Sequence, residues 1–176
     1  MKRLPGMITI LSIFLIAAPY VFAFKVPEIG DEAPVFTLPT IEDKRISLDD
    51  FWKNQNCKAT MISFYFIGCK PCLPDLQFLQ SLQKEFGKSN FDILVVSIDK
   101  TREKSTVDFL SENQVSLPLV FDRLGIVEKR YFGEGKAFFP ANFLIDGRGI
   151  LREKYIGYKE KIRDKIKQDI SKLLEM

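Results

Sequence analysis

The sequence predicts an α/β fold built on a central mixed β-sheet flanked by helices. Two runs of large apolar residues, 60–67 and 91–98, read as strands buried on both faces. Segments with apolar residues at helical spacing follow them. A tight-turn signal, Asp146-Gly147-Arg148-Gly149, separates two further apolar runs and adds antiparallel strands. Strands alternating with helices give the α/β class, and the closing hairpin makes the sheet mixed.

The N-terminus reads as an address rather than as part of that fold. Lys2 and Arg3 precede an apolar stretch over residues 7–18, broken only by Thr9 and Ser12. Pro19 follows, and Val21 and Ala23 stand at −3 and −1 of a cut before Phe24. A basic start, a short apolar middle and small residues at the cut describe a secretory signal peptide over 1–23. The rival reading is an uncleaved membrane anchor, because the apolar-leaning stretch continued to Phe24 is just long enough to span a bilayer. Both readings export residues 24–176 as a single domain. No cysteine directly follows the apolar run, which argues against a bacterial lipid anchor there.

Within that domain, residues 29–38 carry Pro34 and read as an extended entry with a short strand around Phe36. Residues 45–48 would pair with it as an N-terminal hairpin, and Asp49, Asp50, Phe51 and Trp52 suggest a helical turn. After the 60–67 strand, a helix is expected with Leu76, Leu79, Leu82 and Phe86 on one face and Gly87 as its stop. Residues 105–112 look helical, with Ser105 and Asp108 placed as a capping-box variant. A short strand at 119–121, a helix over 124–131, strands at 143–145 and 150–156, and an amphipathic helix over 159–174 complete the order. In that last helix Ile162, Ile166, Ile170 and Leu173 share a face, and its lysines form the solvated side.

Composition then excludes chemistry. The chain has 176 residues, of which 46 % are hydrophobic and 28 % charged, as in an ordinary globular domain. It has no histidine, so Ser-His-Asp and Cys-His nucleophile systems are impossible, as are histidine-ligated zinc, copper and haem. The net charge is only +3, partly from Lys2 and Arg3, which gives no electrostatic footprint for nucleic acid.

What remains is thiol chemistry. Cys69 and Cys72 stand three apart, where a strand ends and a helix begins. Residues i and i+3 share a helix face, so the two sulfurs can bond as a Cys69–Cys72 disulfide. Unpaired N–H groups and the macrodipole favour an anion at the helix start, and Lys70 adds a positive charge. Both would lower the pKa of Cys69 and raise its thiolate fraction, the species that attacks a disulfide. Cys72, one turn inside, would resolve the mixed disulfide, and Pro71 sits where a missing N–H costs nothing. A static structural disulfide would close too small a loop to stabilise much. Three cysteines without histidine cannot supply four N/S ligands, so no metal and no cofactor is expected. A c-type haem site would need histidine at position 73, where Leu73 stands. Cys57, outside the motif, reads either as a buried free thiol or as a partner for another chain, and Trp52 as packing.

The segments from Phe64 to Cys72, Leu117-Pro118-Leu119-Val120-Phe121-Asp122 and Phe138-Phe139-Pro140-Ala141-Asn142-Phe143-Leu144-Ile145-Asp146-Gly147 resemble the exported thioredoxin-like proteins of the TlpA/ResA type, over roughly residues 29–158. The resemblance implies a thioredoxin-like fold and a thiol–disulfide oxidoreductase, with Pro140 as a cis-proline facing the cysteines and Phe139 offering backbone hydrogen bonds to substrate. An ordinary strand-entry proline is the bland reading of Pro140. The resemblance further implies a reductase acting on protein disulfides, with apocytochrome c or copper-site cysteines as substrates and a membrane thiol transporter as electron donor.

This chain departs from the family pattern at three places. Gly68 replaces the tryptophan that often precedes the first cysteine, leaving its cover more open. Ser63 fills the slot of thioredoxin's buried aspartate. Asp75 stands where exported relatives often carry glutamate; it is assigned either proton transfer with Cys72 or plain first-turn helix capping. Other functions weigh less. A peroxiredoxin-like peroxidase would need threonine or serine at Phe66, copper-binding relatives use wider cysteine spacing with histidine, and an assembly or chaperone role requires an inert cysteine pair.

Overall fold

The structure, a computed structural model, describes residues 25–53, 57–157 and 160–175. The signal-peptide or anchor segment over 1–23 lies outside the described residues. Among them, no helix is long and apolar enough to cross a membrane.

Strands β1 (Thr37–Pro39) and β2 (Arg45–Ser47) form the antiparallel N-terminal hairpin. Helix α1 (Asp50–Lys53) leads to β3 (Ala59–Tyr65), then α2 (Cys72–Phe86), β4 (Phe91–Ser97), α3 (Glu103–Glu112), β5 (Leu119–Phe121) and α4 (Ile126–Phe132). Strands β6 (Ala141–Asp146) and β7 (Leu151–Ile156) and helix α5 (Glu160–Leu174) close the chain. The five-stranded sheet has the order β5-β4-β3-β6-β7, parallel across β5, β4 and β3 and antiparallel across β6 and β7. The expected mixed sheet and N-terminal hairpin are both present.

Strand β3 is buried along its whole length because both faces of the sheet are covered. Met61 and Tyr65 face one apolar cluster with Leu76 and Leu79 of α2, Leu110 of α3, and Ile166 and Ile170 of α5. Ile62 and Phe64 face the other, with Phe51 of α1, Val127 and Tyr131 of α4, and Leu48 beside the hairpin. Successive side chains of a strand point to opposite faces, so one run of apolar residues serves two cores. Gly87, at φ 83°, ends α2 with its N–H on the Gln83 carbonyl.

Two expectations shift. Phe36 lies just before β1 rather than within it; it is buried, and its carbonyl accepts the Leu48 N–H at 2.9 Å. Helix α3 begins at Glu103, and Ser105 is not its cap: the N-cap is Arg102, with no side-chain capping bond. The buried residues Thr106 and Leu110 set the helix register against the core. Asp108 instead turns to solvent and pairs with Lys104 four residues earlier, at 3.1 Å.

The β6–β7 turn is held by Asp146. Its Oδ1 accepts the N–H groups of Arg148 (2.9 Å) and Ile150 (3.0 Å), and its Oδ2 accepts Nε of Arg152 at 2.8 Å. Burial pushes the carboxyl upward, but these donors outweigh it and hold it below the ordinary carboxylate range. A lowered native pKa contributes stability that is present at neutral pH and lost on acidification through the carboxylate range. Asp146→Asn is expected to cost about 2 kcal/mol at pH 7, read as a lower urea midpoint, and to flatten the fall of that midpoint below about pH 4.

Candidate active site

Strand β3 ends at Tyr65, and residues 66–71 turn the chain into α2. Gly68 makes that turn at φ 94°, in the left-handed region that favours glycine. It is exposed, and a Cβ there would meet no atom within 4 Å, so the approach to Cys69 is open at this point. The Cys69 N–H donates to the Phe66 carbonyl and the Cys72 N–H to the Cys69 carbonyl, each at 3.1 Å. The second of these turns brings the Cα atoms of Cys69 and Cys72 to 5.4 Å, and the sulfurs are bonded.

The helix starts at Cys72, not a turn before it, so Cys69 precedes the helix and Pro71 is its N-cap. Both sulfur-bearing residues therefore sit at the positive end of α2, where the first N–H groups lack helical partners. Cys69 is 8 % exposed and Cys72 only 1 %, so Cys69 is the more accessible sulfur of the two. Lys70 lies exposed between them in sequence.

Strand β6 supplies the opposite wall. Its register places Ala141 against Phe64, which brings Phe139 and Pro140 to the end of β3 where the cysteine turn begins. The Phe139–Pro140 peptide bond is cis. The Phe139 ring meets Phe66 edge-on at 5.2 Å and lies 5.8 Å from Phe132. Phe66 and Phe139 both pack on the apolar cluster that contains Cys69 and Cys72. Phe138, next in line, is 60 % exposed.

Beneath the pair lies one buried acid. Asp75, in the first turn of α2, is 4 % exposed. Its Oδ2 accepts Nδ2 of Asn142 on β6 at 2.7 Å, so the carboxylate is turned to the sheet. Burial pushes its pKa up, against the Asn142 hydrogen bond and the positive charge of Arg163 on α5. Asn142 is the cross-strand partner of Ser63. Asp75 on α2 thus meets, through Asn142, the strand position next to Ser63. Sequence reasoning missed Asn142; the available signal was a lone amide within the apolar run 141–145.

The other singled-out residues lie elsewhere. Cys57 is a buried free thiol just before β3, at the end of that strand away from the pair, and its Sγ is 3.0 Å from the Ala59 carbonyl. Burial pushes that thiol's pKa up, which disfavours the reactive thiolate. Trp52 packs against Gly149, where an added Cβ would come within 3.0 Å of the indole. Among the described residues, no group of three or more Cys, Asp or Glu is placed to hold a metal ion.

Residues 29–154 match the pattern of the AhpC/TSA family. The chain belongs to that family. It is 27 % identical over 146 residues to the thiol-disulfide oxidoreductase ResA of Bacillus thuringiensis subsp. konkukian, covering 83 % of this chain and 79 % of that protein. It is 26 % identical over 145 residues to the thioredoxin-like protein YneN of Bacillus subtilis, covering 80 % and 79 %. Among solved structures, a thiol:disulfide interchange protein from a Bacteroides species superposes with a TM-score of 0.67 at 24 % identity, over 82 % of this chain and 91 % of that one. A thioredoxin family protein from Chlorobium tepidum gives 0.67 at 17 % identity, over 85 % and 99 %. The structural likenesses establish the thioredoxin-like fold. With the Cys69–Cys72 pair and the relatives of the ResA kind, the chain is a thiol–disulfide oxidoreductase of the TlpA/ResA type.

The raised pKa of Asp75 has a consequence for stability. The folded state holds that proton more tightly than the unfolded chain, so the contribution is full below the ordinary carboxylate pKa and is lost as pH rises through the raised value. Asp75→Asn is expected to raise the urea midpoint of the oxidised protein at pH 7 and to leave it unchanged at acid pH. An equal change at both pH values would show that the charge is not the cause.

Proposed function

We propose that this chain is an exported reductase of protein disulfides. The observation that carries the reading is the Cys69–Cys72 pair at the start of α2, with Cys69 the more exposed sulfur. In the reduced protein the Cys69 thiolate attacks one sulfur of a substrate disulfide, forming a mixed disulfide and releasing the other sulfur as a thiolate. Cys72 then attacks the Cys69 sulfur, and the substrate leaves with its second thiol. The substrate gains two electrons and two protons, and the protein ends with the Cys69–Cys72 disulfide seen here.

Each neighbouring group has a part in that sequence. The positive end of α2 and Lys70 favour the attacking thiolate. Asp75, buried three residues beyond Cys72, takes the Cys72 proton as that thiol becomes the second nucleophile; its raised pKa brings it closer to a thiol's own. Phe139 and the cis Pro140 form the ledge on which an extended substrate segment lies. Apocytochrome c or copper-site cysteines are the proposed substrates, and a membrane thiol transporter the electron donor, on the resemblance to the TlpA/ResA type. Residues 1–23, as signal peptide or anchor, would direct the domain out of the cytosol, where disulfides persist and need a reductant.

The AhpC/TSA family membership favours a thiol peroxidase as a second reading. Against it, Phe66 occupies the peroxidase threonine position and packs its ring on Phe139, offering no hydroxyl to a peroxide.

Insulin reduction tests the proposal. The wild-type protein with a dithiol donor is expected to accelerate insulin precipitation. Cys69→Ser should abolish this, Cys57→Ser should stay within about twofold, and Cys72→Ser should trap a mixed disulfide with the target. Activity surviving in Cys69→Ser would overturn the mechanism.

A further inference from the structure

The turn that carries Cys69 is anchored by a side chain from the neighbouring strand's exit. Strands β3 and β4 run parallel with Tyr65 opposite Ser97, and the Ile98 N–H continues the ladder to the Tyr65 carbonyl at 3.0 Å. A regular parallel ladder would next send the Ile67 N–H to the Ile98 carbonyl. Here it donates to Oδ2 of Asp99 at 2.6 Å. The carboxylate replaces the backbone acceptor at the point where the chain leaves the sheet.

Asp99 is itself fixed on all sides. It is 5 % exposed. Arg102 donates to its Oδ1 at 2.7 Å and reaches the Ile67 carbonyl at 3.5 Å, so the Ile67 residue is held at both its N–H and its C=O. The fully buried Thr106 hydroxyl lies 3.3 Å from Oδ2, and Ser97 Oγ accepts the Asp99 N–H at 3.2 Å. Tyr65, a titratable group near it, is pushed up to about 12 by burial and by the Asp99 charge, so it stays neutral at physiological pH. Ile67 is two residues ahead of Cys69. Gly68 between them has no side chain and no wall within 4 Å to hold the loop by packing.

We infer that Asp99, braced by Arg102 and Thr106, is a positioning residue that fixes the 66–69 turn and so keeps the reduced Cys69 at the positive end of α2. This rests on the reading of Cys69 as the attacking thiol. Where a bulky residue before the first cysteine could hold the turn by packing, this chain has glycine and holds it by hydrogen bonds.

The sign of one measurement separates positioning from plain electrostatics. If Asp99 acted only through its charge, removing that charge would lower the Cys69 thiol pKa. If it positions the loop, losing it lets Cys69 drift from the helix end, and the pKa rises. The experiment follows alkylation of Cys69 by iodoacetamide across pH in the reduced full-length protein, with exchange against oxidised glutathione at neutral pH. Asp99→Ala is expected to raise the Cys69 titration midpoint and slow exchange by about tenfold. Asp99→Asn keeps an oxygen for the Ile67 N–H and should remain within about threefold of wild type. Arg102→Leu, at a half-exposed side chain, should slow exchange by an intermediate amount. A fall of the midpoint in both Asp99 variants, or an unchanged Asp99→Ala, would overturn the inference. If Asp99→Ala does not fold, the other two variants decide, and a slow Asp99→Asn beside an unaffected Arg102→Leu overturns it. Should wild-type Cys69 show no preferential alkylation over Cys72, the reductase reading fails and takes this inference with it. With wild-type Cys69 reactive, only the positioning role is at stake.

Discussion

Strand β3 is hydrogen-bonded on both sides, and the active site follows from its two registers. Against β4 it pairs in parallel over its full length, and against β6 it pairs antiparallel from Ala59–Asp146 to Phe64–Ala141. A slip of one residue in either ladder would swap the two faces of a strand buried on both. The registers are therefore fixed by the cores, with Met61 and Tyr65 on one side and Ile62 and Phe64 on the other. Because Phe64 lies opposite Ala141, the chain leaving β3 toward Cys69 must pass the Phe139–Pro140 bond entering β6. Because Tyr65 lies opposite Ser97, it must also pass Asp99 leaving β4.

On this frame two opposing electrostatic tendencies meet. The α2 start favours negative charge at the cysteines. The low-dielectric space just below disfavours it at Asp75, whose hydrogen bond to Asn142 does not offset the burial. In the proposed mechanism the helix start would favour a thiolate at the reduced pair, one helical turn from a carboxyl that holds its proton more readily than usual. With no histidine in the chain, no imidazole can move a proton here, and the task falls to carboxyl and thiol groups.

What the sequence displays is what local patterns encode. The apolar runs of β3 and β4, the Asp146–Gly149 turn, the helical stripe of α2 with its Gly87 stop, and the CxxC at a strand–helix junction each lie within a short window, and each is where local chemistry puts it. The Ser105 capping box failed: α3 starts at Glu103, so Ser105 already lies inside the helix, and Asp108 pairs with Lys104 instead of capping. The turn just before Cys72 is tighter than an extended helix would be, which moved the helix start and placed Cys69 outside it. The contacts that were invisible join distant segments. Asp75 and Asn142 are 67 residues apart, and Ile67 and Asp99 are 32 apart. Neither pair carries a periodicity or a motif, and only the sheet registers bring them together.

In the proposed mechanism electrons flow from the Cys69–Cys72 dithiol to the substrate, and the equilibrium reduction potential of that pair decides the direction. Thiol trapping in redox buffers of defined poise would measure it. A reducing couple is expected, near the thioredoxin end of the known range at about −270 mV. A value near −120 mV, as in strong oxidants, would contradict it.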